Sequence, residues 1–476
     1  MELVLETDKV KFMFELYGKA DIIRYFRDLF NKRGRVLEIG AQLGDVTGWL
    51  SQNFKAVDCI ESGINNAAAL YGRVKKAKNV EVYAADEFET SFGEGKYSLV
   101  TAIGNLGNFA NGFGKTAHKR TVDFLRNVCV SLTEDGILFI STQNKMALKY
   151  LSGCYDSKER LQFNALMDYP VKTAAVFGRN ELEEILKEAG FNSIQFYHTY
   201  SDGMFPISIY RECEEIYKLN PDIFYPKHVY DYYLRQNFFL EPLAVLSLYK
   251  EKMVHYFSNS FVVLCSKSRN VNLKTNWIFA KWSLGEIKSS FQNEVKILPA
   301  SDGGFFVEKS FINTSQTEYE DEKIRVSLKS GSYIHGKPLV FEAFKAFLAD
   351  DNYEKLTAVL NEIKSELIKL SSGKDAEGYE WVDGKYYDFT FWNLIRHGGK
   401  LVYIDSKWGF KCKIPVDLII WRNLFYFNHR CGDYKALSNA EIFSVLKAMF
   451  PGITPERVKF VVKYCDDLLS FIIPKH

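Results

Sequence analysis

A chain of 476 residues exceeds the ~100–200 residues of one ordinary domain, so two or more domains are expected. Its 47% hydrophobic and 25% charged content are ordinary for a globular protein. The 61 Lys and Arg against 59 Asp and Glu leave a net charge of +2, without the basic excess that marks a nucleic-acid binder. The N-terminus, MELVLETDKVKF, has no basic segment followed by an apolar stretch and so does not read as a signal peptide. No apolar run reaches the ~18 residues that cross a bilayer. A cytoplasmic protein is expected, with peripheral membrane contact left open. The eight cysteines form no C-x-x-C pair, which argues against a zinc site and for reduced, buried thiols. The 28 Tyr and 38 Phe read mainly as an aromatic core.

The first half alternates strand and helix patterns. Strands are predicted at 35–39, 56–61, 80–84, 97–103 and 137–142. Helices are predicted at 45–53, 65–76 and 115–132. That alternation implies a parallel sheet covered on both faces. A helix over 179–189 follows, with Asn180 as its N-cap and Gly190 as its stop. Strands at 193–197 and 261–266 would complete the sheet, and the aromatic stretch 210–256 between them reads as a lid-like insertion. The polar segment 266–272 marks a boundary, giving domains 1–268 and 269–476. The second half opens with strands at 277–282, 293–298 and 305–311, the last two joined by a turn at Asp302–Gly304. Helices are predicted over 353–370 and from Asn439 to the C-terminus. The second domain is thus α+β.

The first strand runs into Glu38-Ile39-Gly40-Ala41-Gln42-Leu43-Gly44 and then a helix. Gly40 and Gly44 allow close approach of backbone to a ligand or of helix to strand. Glu61, at the end of the next strand, suits the hydroxyls of a ribose. Asp86 follows the third strand and can accept from an adenine amino group. Gly104 and Asn105 follow the fourth. All stand at carboxyl strand ends, where open α/β sheets bind ligands. The third glycine of the dinucleotide fingerprint is missing. Together these residues resemble the class I S-adenosylmethionine-dependent methyltransferases over about residues 15–265. The resemblance implies a Rossmann-like, mainly parallel seven-stranded sheet. It also implies cofactor contacts from Glu38, Gly40, Gln42, Gly44, Glu61, Asp86, Gly104 and Asn105, with Glu38 holding the methionine amino group. Gln42 replaces the usual middle glycine and would crowd the ligand.

Ser141-Thr142-Gln143-Asn144-Lys145-Met146-Ala147-Leu148-Lys149-Tyr150 is similar to a segment of bacterial methyltransferases found with polysaccharide glycosyltransferases. So are Phe177–Leu182, Ala189–Phe191 and Tyr200–Pro206. Gln143 stands where that family has an acidic residue. Asn144 and Lys149 are the catalytic or substrate-contacting candidates of this domain. His198 reads as a strand-face histidine rather than a base.

In the second half, Asp388 and Asn393 lie five residues apart, and Asp405 closes an apolar strand. Phosphoryl transfer needs one Asp at the substrate hydroxyl, with an Asn and a second Asp on Mg²⁺. Lys309, on the strand 305–311, would pair with the nucleotide phosphates, with Glu318 or Glu322 of a following helix as its partner. The region over about 275–465 resembles protein-kinase-like and aminoglycoside-phosphotransferase-like folds. That implies Asp388 as the catalytic aspartate at the substrate hydroxyl, Asn393 and Asp405 as metal ligands, and ATP with Mg²⁺. Tyr386 and Tyr387 replace the kinase loop's His-Arg or His-Gly, and Ser406 follows Asp405 where kinases carry Phe-Gly. No Gly-rich loop precedes Lys309; Trp282–Glu286 is the nearest candidate.

The order of the two domains resembles bifunctional O-antigen chain-terminating enzymes. That resemblance implies a glycan, lipid-linked glycan or glycan phosphate acceptor, glycosyltransferase partners and a place at the cytoplasmic face of the inner membrane. Two other readings stay open. One is a degenerate scaffold in a polysaccharide assembly complex. The other is a small-molecule methyltransferase with a kinase-like recruiting domain.

Overall fold

The computed structural model describes residues 20–104, 106, 114–155, 161–168, 176–200, 207–224, 237–283, 287–431 and 434–474. The chain divides into two compact units. The first comprises Met1–Ile216, Pro226–Arg235 and Lys252–Ala280; the second comprises Tyr217–Tyr225, Gln236–Glu251 and Lys281–His476. The stretch expected as a lid, 210–256, is not one insertion. Its described segments 217–224 and 237–251 group with the second unit, because their packing partners lie there: Asn220 bonds Tyr333 and Ile334, and Tyr249 bonds the Tyr217 and Leu219 carbonyls.

The first unit is built on strands β1 (Arg35–Ile39), β2 (Ala56–Glu61), β3 (Val80–Ala84), β4 (Tyr97–Ile103), β5 (Leu132–Gln143), β6 (Ser193–Thr199), β7 (Ser208–Arg211) and β8 (Ser260–Ser266). Their spatial order is β7-β6-β8-β5-β4-β1-β2-β3. β3, β2, β1, β4 and β5 pair in parallel, while β8 runs antiparallel between β5 and β6. Among the described residues, eight strands from β1 to β8 lie in the mixed sheet, one more than the expected seven. The additional one, β7, pairs with β6 through Tyr197–Arg211 and His198–Tyr210, a pairing too short to show in a period-2 pattern. Helices α1 (Asp45–Asn53), α2 (Ile64–Val74), α3 (Gly114–Ser131) and α4 (Arg179–Glu188) cross over between strands.

Every residue of β4 and β8 is buried, as expected for central strands covered on both faces. Leu37, Ile39, Val100, Leu138, Ile140 and Val263 meet Leu125, Val128, Leu182 and Ile185 in one core. Each such side chain contributes roughly 1.5–3 kcal/mol. Helix α4 starts at Arg179 as expected, but its cap lies two residues before Asn180. Gly178 is the cap, and its N–H donates to Glu181 Oε2 at 2.8 Å. The glutamate reaching back leaves Asn180 inside the helix.

The second unit starts with antiparallel β9 (Asn293–Pro299) and β10 (Phe305–Phe311), joined by a turn in which Asp302 Oδ1 accepts from the Gly304 N–H at 2.9 Å. Helices α5 (Leu339–Ala349) and α6 (Glu354–Lys369) follow, then the hairpin β11 (Leu394–His397) and β12 (Lys400–Tyr403). Helices α7 (Val416–Cys431), α8 (Asn439–Met449) and α9 (Pro455–Ile472) close the unit. The helix expected from Asn439 onward is two helices. Phe450-Pro451-Gly452 breaks the run, and Thr454 recaps it by accepting from the Arg457 N–H, with Pro455 in the first turn. The core centres on Phe344, Phe347, Leu360, Phe427, Leu446 and Leu468.

All eight cysteines are free, and six are buried; Cys412 is exposed, against the expectation, because it sits in the short turn ahead of Lys413–Pro415. No described helix is long and apolar enough to cross a membrane.

Gly44 enters α1 at φ +83°, and a Cβ there would lie 2.5 Å from Leu70 Cδ1. Gly44→Ala is expected to destabilise the first unit by about 1–3 kcal/mol, read by denaturant unfolding. An unchanged midpoint would contradict this account of the β1–α1 turn.

Candidate functional site

The strand order reverses direction between β1 and β4, and at such a switch point the carboxyl ends of an open α/β sheet bracket a crevice. Parallel register aligns those ends. Ile39 pairs with Ile60 and with Ala102, and Glu61 pairs with Ala84. Residues 40–44, Glu61, Asp86 and Gly104 therefore emerge along one edge.

The loop after β1 turns through three left-handed residues: Gly40 at φ +68°, Gln42 at +52° and Gly44 at +83°. Gly40 N–H donates to the Ile60 carbonyl at 2.9 Å. The Gln42 backbone N–H donates to Glu61 Oε1, so the carboxylate at the end of β2 clamps the loop. Glu61 is 4% exposed, and its Oε2 accepts no hydrogen bond among the described residues. Gln42 thus occupies a position suited to glycine, and its own N–H is held by Glu61.

Glu38 is equally buried. Its Oε2 accepts from Thr47 Oγ1 at 2.5 Å, and the Cys59 thiol lies 3.5 Å away. Burial, reinforced by the neighbouring Glu38 carboxylate, pushes the Cys59 thiol far up, so it stays protonated. Asp86 is exposed and accepts from the Phe88 N–H at 2.8 Å, an Asx turn. Gly104 has φ +75°, and its N–H donates to the Ser141 carbonyl at 2.8 Å. Asn105 lies outside the described residues.

Glu87 was not anticipated. It is 6% exposed beside Asp86, and burial, then the charges of Asp86 and Glu61, hold its pKa above the ordinary glutamate value. The acidic doublet was the sequence signal; its burial was not readable.

Asn144 follows β5 and is fully buried. Its amide donates to the carbonyls of Tyr256 (2.8 Å) and Ser258 (2.7 Å), and its Oδ1 accepts from the Met146 N–H at 2.9 Å. With donors and acceptor engaged by backbone, Asn144 acts as a clamp between two loops. Lys149 is 7% exposed, with Nζ 5.1 Å from the Tyr150 ring centre. Tyr150 Oη donates to Gln143 Oε1 at 2.6 Å. His198 is wholly buried at the end of β6, with Nε2 2.7 Å from Glu212 Oε2. Arg179 grips the same carboxylate, Nη2 to Oε1 at 2.7 Å. Residues 179, 198 and 212 have no sequence spacing that announces this contact.

In the second unit, Lys309 Nζ donates to Asp405 Oδ1 at 2.9 Å. The expected partners Glu318 and Glu322 do not meet it. Residues 318–320 form a strand instead of a helix, and Glu318 pairs with Arg325 at 2.9 Å. Burial works against the Asp405 charge, but Lys309, Lys407 and Lys281 hold its carboxyl well below the usual range. Asn393 Nδ2 donates to the Asp388 carbonyl at 3.0 Å. Asp388 Oδ1 accepts from Arg422 Nη2 at 2.6 Å, and Arg422 itself stacks on Tyr387, 3.6 Å from the ring centre.

Residues 11–195 match the model of a family described as a methyltransferase domain. This part of the chain is therefore a methyltransferase domain, built on a Rossmann-like mixed sheet. No curated protein matches the chain. Among solved structures, a SAM-dependent methyltransferase from Archaeoglobus fulgidus is 17% identical, covering 52% of this chain and 91% of that one at a TM-score of 0.32. One from Aquifex aeolicus is 16% identical, covering 38% and 82% at 0.28. Phosphoethanolamine N-methyltransferase 2 of Haemonchus contortus, in complex with S-adenosyl-L-methionine, is 15% identical at 0.32, and the match spans about half its length (52%). These are weak likenesses.

Because the folded protein raises the Glu87 pKa, its contribution to stability is present below 4.5 and is lost as pH rises through the folded value. Glu87→Gln is expected to be more stable than wild type at neutral pH and equal to it below 4.5, measured by urea unfolding at both pH values. Equal stability at neutral pH would show that the carboxylate is relieved there.

Proposed function

We propose that the first unit binds S-adenosylmethionine along the carboxyl edge of β1, β2 and β4 and transfers its methyl group to a surface-polysaccharide glycan or glycan phosphate. The observation that carries the cofactor reading is the clamp between Glu61 and the Gln42 N–H. It shapes a left-handed loop beside a buried carboxylate whose second oxygen is open. That donor set fits the cofactor: Glu61 Oε2 suits a ribose hydroxyl, and exposed Asp86 suits an adenine amino group. Bound S-adenosylmethionine supplies an electrophilic methyl group. The chain supplies position. Asn144 fixes the loop after β5 against 256–258, which sets where an acceptor lies relative to the β4 end. Orientation of this kind can lower a barrier by about 7–11 kcal/mol. A phosphate oxygen acceptor needs no strong base, in keeping with a site whose buried histidine is held by Glu212. The glycan class rests on the resemblance of 141–150 and 177–206.

Calorimetry with S-adenosylmethionine tests the cofactor reading. Wild type should bind, and Glu61→Ala should bind at least about 10-fold more weakly, a loss of ~1.4 kcal/mol. No heat at high micromolar ligand refutes it and favours a scaffold. Methyl incorporation into phosphorylated against unphosphorylated oligosaccharide then tests the acceptor.

A second activity, ATP-dependent phosphorylation of the sugar by the second unit, is favoured by the Lys309–Asp405 pair and the Asn393–Asp388 contact. Lys309 would pair with phosphate, and Asn393 and Asp405 would hold Mg²⁺. Arg422 holds Asp388 in a part-buried ion pair and must yield before Asp388 can serve a hydroxyl. Lys309→Met and Asp405→Asn are each expected to abolish Mg-ATP binding in calorimetry. No heat from wild type would leave this unit as a recruiting domain.

A further inference from the structure

His198, Glu212 and His255 come from three separate places in the first unit: the end of β6, the residue following β7, and the short helix Val254–Phe257 ahead of β8. One ligand atom from each lies within 4.8 Å of the other two. The two imidazole rings are 5.1 Å apart at an interplanar angle of 32°. Two histidines and one carboxylate are a donor set that binds zinc-class divalent cations and leaves a coordination position for water.

We infer that His198 Nε2, Glu212 Oε2 and a ring nitrogen of His255 form a binding site for one zinc-class divalent cation. The inference is independent of the methyltransferase reading.

The surroundings meet the further demands of such a site. Ligating histidines generally use their second nitrogen to hold orientation. His198 Nδ1 lies 3.0 Å from Ser258 Oγ, and that hydroxyl lies 3.3 Å from the His255 carbonyl. One serine therefore ties two ligands together. The His198 ring is sandwiched between Phe196 and Tyr210, with Phe261 edge-on, so its orientation is locked. Metal binding needs neutral imidazoles. Burial lowers the pKa of His198, and it lowers that of His255 to about 3, with the neighbouring His198 as the second cause.

Arg179 opposes the cation. It holds Glu212 through Nη2 to Oε1 at 2.7 Å and Nε to Oε2 at 3.2 Å. Oε1 carries the stronger arginine contact, so Oε2 can turn to the metal while the fork stays on Oε1. Glu183 also pairs with Arg179, offsetting part of its charge. The arginine makes the site weaker without blocking it, and this gives the inference a signed test.

The full chain, stripped with chelator and dialysed, is titrated with Zn²⁺ while thermal unfolding is followed, and with Co²⁺ while visible absorption is followed. One equivalent of Zn²⁺ should bind and raise the unfolding temperature, and Co²⁺ should give ligand-field bands of a low-coordinate site. His255→Ala should remove both effects. Ser258→Ala should weaken binding by roughly 10–100-fold, the cost of losing an outer-shell partner. Arg179→Met should tighten it. Wild type with neither a Zn²⁺ shift nor Co²⁺ bands overturns the inference. So does Zn²⁺ binding that survives His255→Ala unchanged, which would place the ion elsewhere. If Glu212→Gln fails to fold, His255→Ala and Arg179→Met still decide the matter.

Discussion

The parallel register of β1 between β2 and β4 is the constraint on which the first unit's chemistry depends. Parallel pairing aligns strand ends, so residues placed one to five positions past each strand meet at one edge. The Glu61 carboxylate can reach the Gln42 N–H because Ile60 stands opposite Ile39. A one-residue slip in this pairing would turn Glu38 and Glu61 to the other face, away from Thr47 and Gln42. The tertiary cost of that slip is large, because β1 and β4 are buried on both faces.

Charge is handled differently in the two units. In the first, carboxylates gather at the edge: Glu38, Glu61 and Glu87 are buried. Two of them are held by a hydroxyl or a backbone N–H, and Glu87 bears the local repulsion. In the second, charges are consumed in pairs. Arg396 of β11 forks onto Glu342 of α5 and Glu362 of α6, with four contacts of 2.8–3.0 Å. Arg457 of α9 meets Asp417 at 2.7 Å. The Arg457–Asp417 pair is buried, so it adds little net stability beyond well-packed apolar groups, but losing one partner strands a buried charge. The Lys309–Asp405 and Arg422–Asp388 pairs belong to the same pattern. A ligand of the second unit must therefore exchange partners with charges that are already matched.

Several polar side chains are buried around β6, β7 and β8. Asn144, His198, Ser258 and Asn259 are all buried there. Each is satisfied by a group from a distant segment, so the loops after β5 and before β8 are held as one piece. This rigidity is of the kind a site needs when positioning, rather than a free base, supplies the rate.

Much was legible in the sequence. Strands β1 to β4 and helix α1 lie where alternation and glycine placement put them, because local pattern and tertiary burial agree there. The loop 40–44 was readable since strand, glycine and helix adjoin in sequence. The contact of Asn393 with the Asp388 carbonyl joins residues five apart and was equally local. What the sequence could not show was partnership across long separations. Lys309 meets Asp405, 96 residues on, rather than Glu318, because 318–320 joins a sheet. Segments 217–224 and 237–251 pack with the second unit although they interrupt the first. Arg179, His198, Glu212 and His255 converge through antiparallel pairing of β6 with β7 and β8, which no periodicity encodes. Residue type and local spacing determined the strands, the glycine loop and the acids at their ends. Only the tertiary structure decided which acids are buried, which are clamped and which meet a histidine, because that depends on what the fold packs against them.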